Sequence, residues 1–289
     1  MDLSPATTRP DVVLVHSSDV HVDDDGAPGV RDGDGTAALR AVLATARALR
    51  ADVVLLAGDT FDSNQLAATT IERAGRLLAE AGMPVVILPG NHDPALPDAI
   101  YVRGGFAQIP QLAILGVTHP EAVQFPQHDL EIWGQAHRDY FDMPPLRGAR
   151  PRSTLWQVAV GHGHYEPPET RANPLRPSWV FGDEEIAATG ADYLALGHLG
   201  PADARRQWRR SGILFGLAQA GRDGQPGKAW CGGRDHRYAR GAAALSQVDK
   251  SGAEAQHFGR PFSPVEEPCC PTIPSPPIAA TGLSCSQTC

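Results

Sequence analysis

Short apolar runs alternate with amphipathic segments along the first two thirds of the chain. Asp11 to His16 is a largely β-branched apolar run, and Thr36 to Leu49 has the alanine and leucine content and the apolar spacing of a helix. The same order recurs as an apolar run at Asp52 to Ala57, a helical pattern at Leu66 to Ala81, and an apolar run at Pro84 to Leu88. Near-continuous apolar runs are typical of strands that are covered on both faces.

Four later apolar runs continue this alternation, at Leu112 to Val117, Leu130 to Trp133, Trp156 to Val160 and Tyr193 to Leu196. The pattern therefore predicts a layered α/β fold, in which central β-sheets are flanked by helices.

Polar side chains follow five of the predicted strands at the point where each strand ends. In open α/β sheets, ligands bind beyond the carboxyl ends of the strands, so we expect these side chains to converge at one edge. The side chains concerned are carboxylate, imidazole and amide donors, which suit divalent ions such as Mn, Fe or Zn. They are Asp19, His21, Asp59, Asn91, His162 and His198. An aspartate shared between two ions can hold them roughly 3.5–4 Å apart, and Asp59 is the natural bridge.

The ordered motifs resemble those of calcineurin-like metallophosphoesterases. These motifs are Asp19-Val20-His21, Gly58-Asp59-Thr60-Phe61-Asp62, Gly90-Asn91-His92-Asp93, Gly161-His162 and Gly197-His198. The residues of the second motif and the spacing between the motifs are most similar to those of the DNA-repair exonuclease branch, which includes the bacterial SbcD nucleases and their eukaryotic counterparts. The resemblance covers about residues 11 to 198. It implies a metallophosphoesterase fold and a metal-dependent hydrolase that cleaves phosphate esters, with diesters as the favoured class, by means of a metal-activated hydroxide.

The resemblance also implies a role for each donor. The first ion would be bound by Asp19 and His21, Asp59 would bridge both ions, and the second ion would be bound by Asn91, His162 and His198. His164 lies two residues beyond His162, and either could be the ligand; we favour His162 because it comes directly off the strand.

Two further residues of the Gly90 motif are implied to be catalytic. His92 would stand over the scissile phosphate and stabilise the leaving oxygen, and Asp93 would orient its imidazole through a hydrogen bond. We interpret Asp62 as a structural residue that caps a helix beginning near Asn64.

The composition narrows the choice of partners. The net charge of -8 argues against a broad basic surface for nucleic acid, so a phosphate ester is the leading substrate and DNA the alternative. No segment has the uncharged apolar length of a membrane span, and the first residues lack a signal-peptide pattern, so we expect a soluble cytoplasmic protein. The five cysteines show no paired zinc-site spacing. Protein partners are not indicated.

The pattern of the chain changes after His198. We divide the chain into an N-terminal extension at residues 1–10, the metallophosphoesterase domain at 11–198 and an atypical, poorly ordered tail at 199–289. The family's last motif is Gly-His-x-His, whereas here Gly200 stands where the second histidine would complete the first metal site. One alternative is therefore a weak or inactive homologue.

A second explanation is that residues after His198 are read out of frame. Removing one base from a suitable synonymous coding of Leu199 to Gly216 restores a Gly-His-Trp-Asp motif followed by a strand pattern. Sequencing the gene across these codons tests the hypothesis.

Overall fold

The computed structural model describes residues 12–27, 30, 33–140, 143–146, 148–166 and 179–198, together with the backbone of four later strands. The N-terminal extension, Gly200 and most of the tail lie outside the described residues, so the expectations for them stay predictions.

The first half of the chain alternates strands and helices as its hydrophobic pattern predicts. Its elements are β1 (Val12–Ser17), α1 (Ala37–Ala48), β2 (Val53–Ala57), α2 (Ala68–Ala79), β3 (Val85–Leu88), α3 (Ile100–Arg103) and β4 (Leu112–Ile114). The second half contains β5 (Ala122–Phe125), β6 (Leu130–Gly134), β7 (Trp156–His162), β8 (His164–Tyr165), β9 (Val180–Phe181), α4 (Asp183–Ala188) and β10 (Tyr193–Gly197). The four later strands are β11 (Leu214–Gln219), β12 (Lys228–Gly232), β13 (Gln247–Val248) and β14 (Glu254–Phe258).

These strands form two six-stranded sheets and one small two-stranded sheet. The first large sheet has the order β13-β14-β1-β2-β3-β4, and its strands β1 to β4 are parallel. The second has the order β12-β11-β10-β7-β6-β5, with β6, β7, β10 and β11 parallel. Parallel strands place their carboxyl ends at the same edge, which is the edge where the sequence places the candidate ligands.

The two large sheets pack face to face between layers of helix. Leu14 and Leu55 of the first sheet share one apolar cluster with Ile132, Val158 and Tyr193 of the second. The helices α1 and α2 cover the outer face of the first sheet, and α4 packs on the outer face of the second. Both sheets are therefore covered on both faces, which explains their near-continuous apolar runs. The predicted layered α/β fold is confirmed.

The four strands after His198 complete the edges of both large sheets. β14 pairs antiparallel with β1, and β11 pairs in parallel with β10. The hydrophobic pattern does not predict these four strands.

Among the described residues, no helix has the length and apolar character needed to cross a bilayer.

Candidate metal centre

Residues from the strand ends of both large sheets meet in one cluster. Asp19 follows β1, Asp59 follows β2, His162 ends β7 and His198 follows β10. Each of these residues offers one ligand atom, and the four atoms lie within 4.8 Å of one another. The edge predicted from the order of the motifs is therefore the place where the two sheets bring together a set of metal-type donors.

The backbone at these strand ends adopts a left-handed conformation. Six non-glycine residues of the described chain have positive φ, and four of them are candidate ligands: Asp19 (52°), His21 (47°), Asp59 (51°) and His198 (60°). This conformation is unfavourable for residues with a side chain, and it concentrates at functional sites where surrounding contacts enforce it. Here the enforcing contacts include two backbone hydrogen bonds between the loop after β1 and the loop after β2. The N–H of Asp19 donates to the Gly58 oxygen and the N–H of His21 donates to the Asp59 oxygen, both at 3.0 Å.

His162 is held in a single orientation by the strand beside the site. Its Nδ1 atom lies 2.9 Å from the carbonyl oxygen of Ala57 and can donate to it, which leaves Nε2 facing the cluster. Nε2 lies 3.1 Å from Asp59 Oδ2 and 3.1 Å from Asn91 Oδ1. Fixing one ring nitrogen on a carbonyl is how proteins present the other nitrogen to a metal.

Two glycines give His162 the space it occupies. Gly58 has φ of +91°, and a Cβ atom there would overlap the His162 imidazole. A Cβ atom on Gly197 would overlap the same ring and the carbonyl oxygen of Ala57. The glycines of the Gly-Asp and Gly-His motifs are thus explained by the close approach of the strand ends to one side chain.

The two aspartates of the cluster are buried, and histidines are the basic side chains nearest to them among the described residues. Asp19 and Asp59 are 5% and 1% exposed, and in the described part of the chain neither pairs with a lysine or arginine. Asp59 Oδ1 accepts the N–H of His92 at 2.9 Å, and Asp19 Oδ2 accepts the Ser18 hydroxyl at 2.6 Å and the N–H of His198 at 3.2 Å. Buried carboxylates require compensating positive charge. The donor set therefore fits divalent cations.

His162 compensates part of the negative charge of the two carboxylates. Burial alone would lower the pKa of His162, but the Asp59 carboxylate outweighs it and raises that pKa to about 9. Burial alone would raise the pKa of Asp59, yet His162 holds it well below its usual range. Burial, aided by the charge on His162, lowers the pKa of His198 to about 4. His198 is therefore a neutral imidazole, which is the form that binds metal.

A second group of donors, His21, Asp62 and His92, adjoins the first. His21 Nε2 lies 4.0 Å from both Asp19 Oδ1 and Asp59 Oδ2, while its Nδ1 lies 2.9 Å from Asp62 Oδ1. The carboxylate beside Nδ1 favours a proton there, and Nε2 faces the two buried aspartates. The prediction that Asp62 caps a helix is wrong, because α2 begins at Ala68 and has no side-chain cap.

His92 lies at the rim of this second group. Its side chain is 40% exposed, its ring meets that of His21 edge to face at 4.8 Å, and its Nδ1 lies 2.9 Å from the carbonyl oxygen of Asp62. The sequence predicts that Asp93 orients this imidazole. The structure instead gives that position to the Asp62 carbonyl, which corrects the expected hydrogen bond.

Asp93 links the loop that follows β2 to the loop that follows β3. It is fully buried, and its carboxylate accepts the N–H of Phe61, the N–H of Gly90 and the hydroxyl of Tyr101, at 2.9, 2.7 and 2.6 Å. Burial and the nearby Asp59 carboxylate raise the pKa of Asp93 to about 6. These contacts hold the loops that carry Asp59 and Asn91 in register. A catalytic role for Asp93 stays a prediction.

The structure brings together all six predicted metal ligands and also shows residues that the sequence does not single out. His164 belongs to neither donor group of the described residues, whereas His162 lies at the centre of the first. His137 is buried beneath the site, with Nε2 2.6 Å from the carbonyl oxygen of His162. Trp179 packs edge to face on His198 at 4.6 Å. No motif surrounds His137 or Trp179, so only the tertiary structure reveals their position.

Several solved structures resemble this chain, and two of them illustrate the low level of identity. One is TT1561 of Thermus thermophilus, with 14% identity, coverage of 65% of this chain and 81% of that chain, and a TM-score of 0.41. Another crystal structure has 13% identity, coverage of 67% and 86%, and a TM-score of 0.38. No curated protein sequence matches this chain significantly.

A family model described as calcineurin-like phosphoesterase matches residues 12–201. The matched region is well over half of the 289 residues and contains every candidate ligand. The chain therefore belongs to the calcineurin-like phosphoesterase family.

Proposed function

We propose that this chain hydrolyses phosphate diesters with the help of two divalent ions. The observation that carries the proposal is the buried cluster of Asp19, Asp59, His162 and His198, which gathers metal-type donors at an edge common to two sheets. His21 and Asn91 extend this cluster on either side. Such a site, in a chain of this family, supports metal-dependent hydrolysis of phosphate esters.

Each candidate ligand has an assigned place in the proposal. Asp19 and His21 would hold the first ion, Asp59 would bridge, and Asn91, His162 and His198 would hold the second. When bound, two such ions neutralise charge on the phosphoryl oxygens and lower the pKa of coordinated water toward about 7. Mn, Fe and Zn all suit this mixture of oxygen and nitrogen donors.

His92 supplies proton transfer at the leaving oxygen. Its side chain reaches solvent at the rim of the site, while Nδ1 lies against the Asp62 carbonyl oxygen at 2.9 Å. With Nδ1 placed against a carbonyl oxygen, Nε2 is the ring nitrogen from which a proton would pass to a departing alkoxide. The Asp62 carboxylate lies 3.9 Å from the same Nδ1 atom.

The test measures metal content and hydrolysis on the same purified protein. Metal analysis is expected to give two ions per chain after loading with Mn²⁺. Bis(p-nitrophenyl) phosphate should be cleaved faster than p-nitrophenyl phosphate. Asp59→Asn should abolish the activity, whereas Asp98→Asn, which alters an exposed carboxylate, should leave it intact.

The remaining outcomes discriminate between the alternatives. Cleavage of single-stranded DNA that is lost in Asp59→Asn would favour a nuclease. One ion or none per chain, together with no hydrolysis in Mn²⁺, Fe²⁺ or Zn²⁺, would overturn the proposal in favour of an inactive homologue.

A further inference from the structure

An aromatic side chain stands directly beside the candidate metal centre. Trp179 lies 4.6 Å from the His198 ring and 5.9 Å from the His137 ring, edge to face in both cases. Trp179 is partly exposed, and it lies directly before β9, one of the two strands of the small sheet. Its position places an indole ring in contact with one of the residues assigned to the second ion.

Hydrogen bonds fix this indole on two sides. The backbone oxygen of Trp179 accepts a hydrogen bond of 3.0 Å from the N–H of His164, which lies two residues after His162 in the sequence. Its indole N–H donates to the backbone oxygen of Tyr140 at 3.1 Å. An indole anchored at both its backbone and its ring nitrogen loses little conformational freedom when a ligand packs on it.

We propose that Trp179 forms an aromatic wall that stacks against a planar ring in the organic part of the phosphate ester. The inference rests on the proposed function, because it requires the phosphate to lie at the metal centre. Rings stack on tryptophan by dispersion and by the overlap of their π faces, and every nucleobase or aryl group offers such a face. The net charge of -8 disfavours a long polyanion, so the wall selects a small ester that contains one ring.

The experiment compares three phosphate ligands that differ only in what the phosphate carries. Adenosine 5′-monophosphate carries a nucleobase, phenyl phosphate an aryl ring, and ribose 5-phosphate no aromatic ring. Binding to the Mn²⁺-loaded protein is measured by calorimetry. A ring-bearing ligand should bind roughly 5- to 150-fold more tightly than ribose 5-phosphate, the range expected for stacking of one ring. A preference for adenosine 5′-monophosphate alone identifies a nucleobase site, and a preference for both identifies a site for any planar ring.

Two variants of Trp179 separate stacking from folding. Trp179→Ala should lose the preference for ring-bearing ligands, whereas ribose 5-phosphate, which has no ring to stack, should still bind. Trp179→Phe should retain most of the preference, and Val102→Ala, at an exposed position of α3, should retain all of it. Equal affinity of the wild type for all three ligands, or a preference that survives in Trp179→Ala, overturns the aromatic wall and leaves the proposed function standing. Failure of every ligand to bind the metal-loaded protein overturns both.

Discussion

The Nε2 atom of His162 lies 3.1 Å from Asp59 Oδ2, and this contact joins the carboxyl ends of strands from two different sheets. His162 is fully buried and Asp59 is 1% exposed. Because the first sheet supplies Asp59 and the second supplies His162, the site forms only where the sandwich has packed. The metal centre is therefore a consequence of sheet packing, and perturbing the space between the sheets should perturb metal binding.

The first prediction concerns the space that Gly58 leaves for His162. Gly58→Ala should lower Mn²⁺ affinity by at least about tenfold, because the new methyl group would displace the ring that Ala57 and Asp59 hold in place. Calorimetric titration of the metal-free protein measures the change.

Gly82→Ala is the matched control for this substitution. Gly82 has φ of +82°, close to that of Gly58, but a Cβ atom there meets nothing within 4 Å. Both variants carry the backbone strain of alanine in the left-handed region, which costs about 1–2 kcal/mol. Only Gly58→Ala adds the clash with His162. Equal metal affinities of the two variants would contradict the prediction.

The second prediction gives Asp62 a positioning role. Asp62→Asn should weaken Mn²⁺ binding roughly 10- to 100-fold, as is typical when the partner of a ligating histidine is removed. The physical reason is that the Asp62 carboxylate lies 2.9 Å from His21 Nδ1 and so favours the proton on that nitrogen. Metal titration provides the measurement, with Asp98→Asn as the exposed control.

Thermal unfolding in the presence of a chelator separates this role from a structural one. A positioning residue should leave the melting temperature of the metal-free protein nearly unchanged. An Mn²⁺ affinity within twofold of wild type would rule the role out.

The third prediction concerns the hydroxyl of Tyr101. Tyr101→Phe should lower the free energy of unfolding by about 1–3 kcal/mol, because the buried Asp93 carboxylate would lose its 2.6 Å hydrogen bond. Chemical denaturation measures the change. Tyr165→Phe is the comparison, since its 2.9 Å bond to Asp183 is only partly buried and should cost less. A larger loss in Tyr165→Phe would contradict the assignment of Asp93 as the connection between loops.

The hydrophobic pattern was sufficient to predict the strands that carry the ligands. Each of these strands is an apolar run that ends at a polar motif, and both features are local in sequence. The sequence does not predict the place of Asp62, because its partner His21 lies on the loop after β1 and only the packing of β1 beside β2 brings the two together. His137 and Trp179 lack any motif, so their place beside His162 and His198 depends entirely on tertiary structure.

The last prediction follows from a histidine buried between the sheets. His16 is fully buried on β1, its Nδ1 lies 3.1 Å from the Tyr193 hydroxyl, and its Nε2 has no partner among the described residues. Burial lowers the pKa of His16 to about 3, from an ordinary value of 6.5. Between these two values the unfolded chain binds a proton at this position that the folded protein does not bind. The contribution of His16 to stability is therefore lost as the pH falls from 6.5 toward 3.

His16→Asn isolates this contribution. One proton corresponds to a slope of about 1.4 kcal/mol per pH unit in the free energy of unfolding. Asparagine can still bond to the Tyr193 hydroxyl but does not titrate, so below pH 6.5 the variant should lose stability less steeply than wild type, by up to that slope. Urea denaturation at several pH values from 7 to 4 measures the difference. Because His137 is also buried and has its pKa lowered to about 4, wild type and variant share its contribution, and it cancels in the comparison. Parallel pH profiles of the two proteins would show that His16 takes up its proton in the folded state as readily as in the unfolded chain.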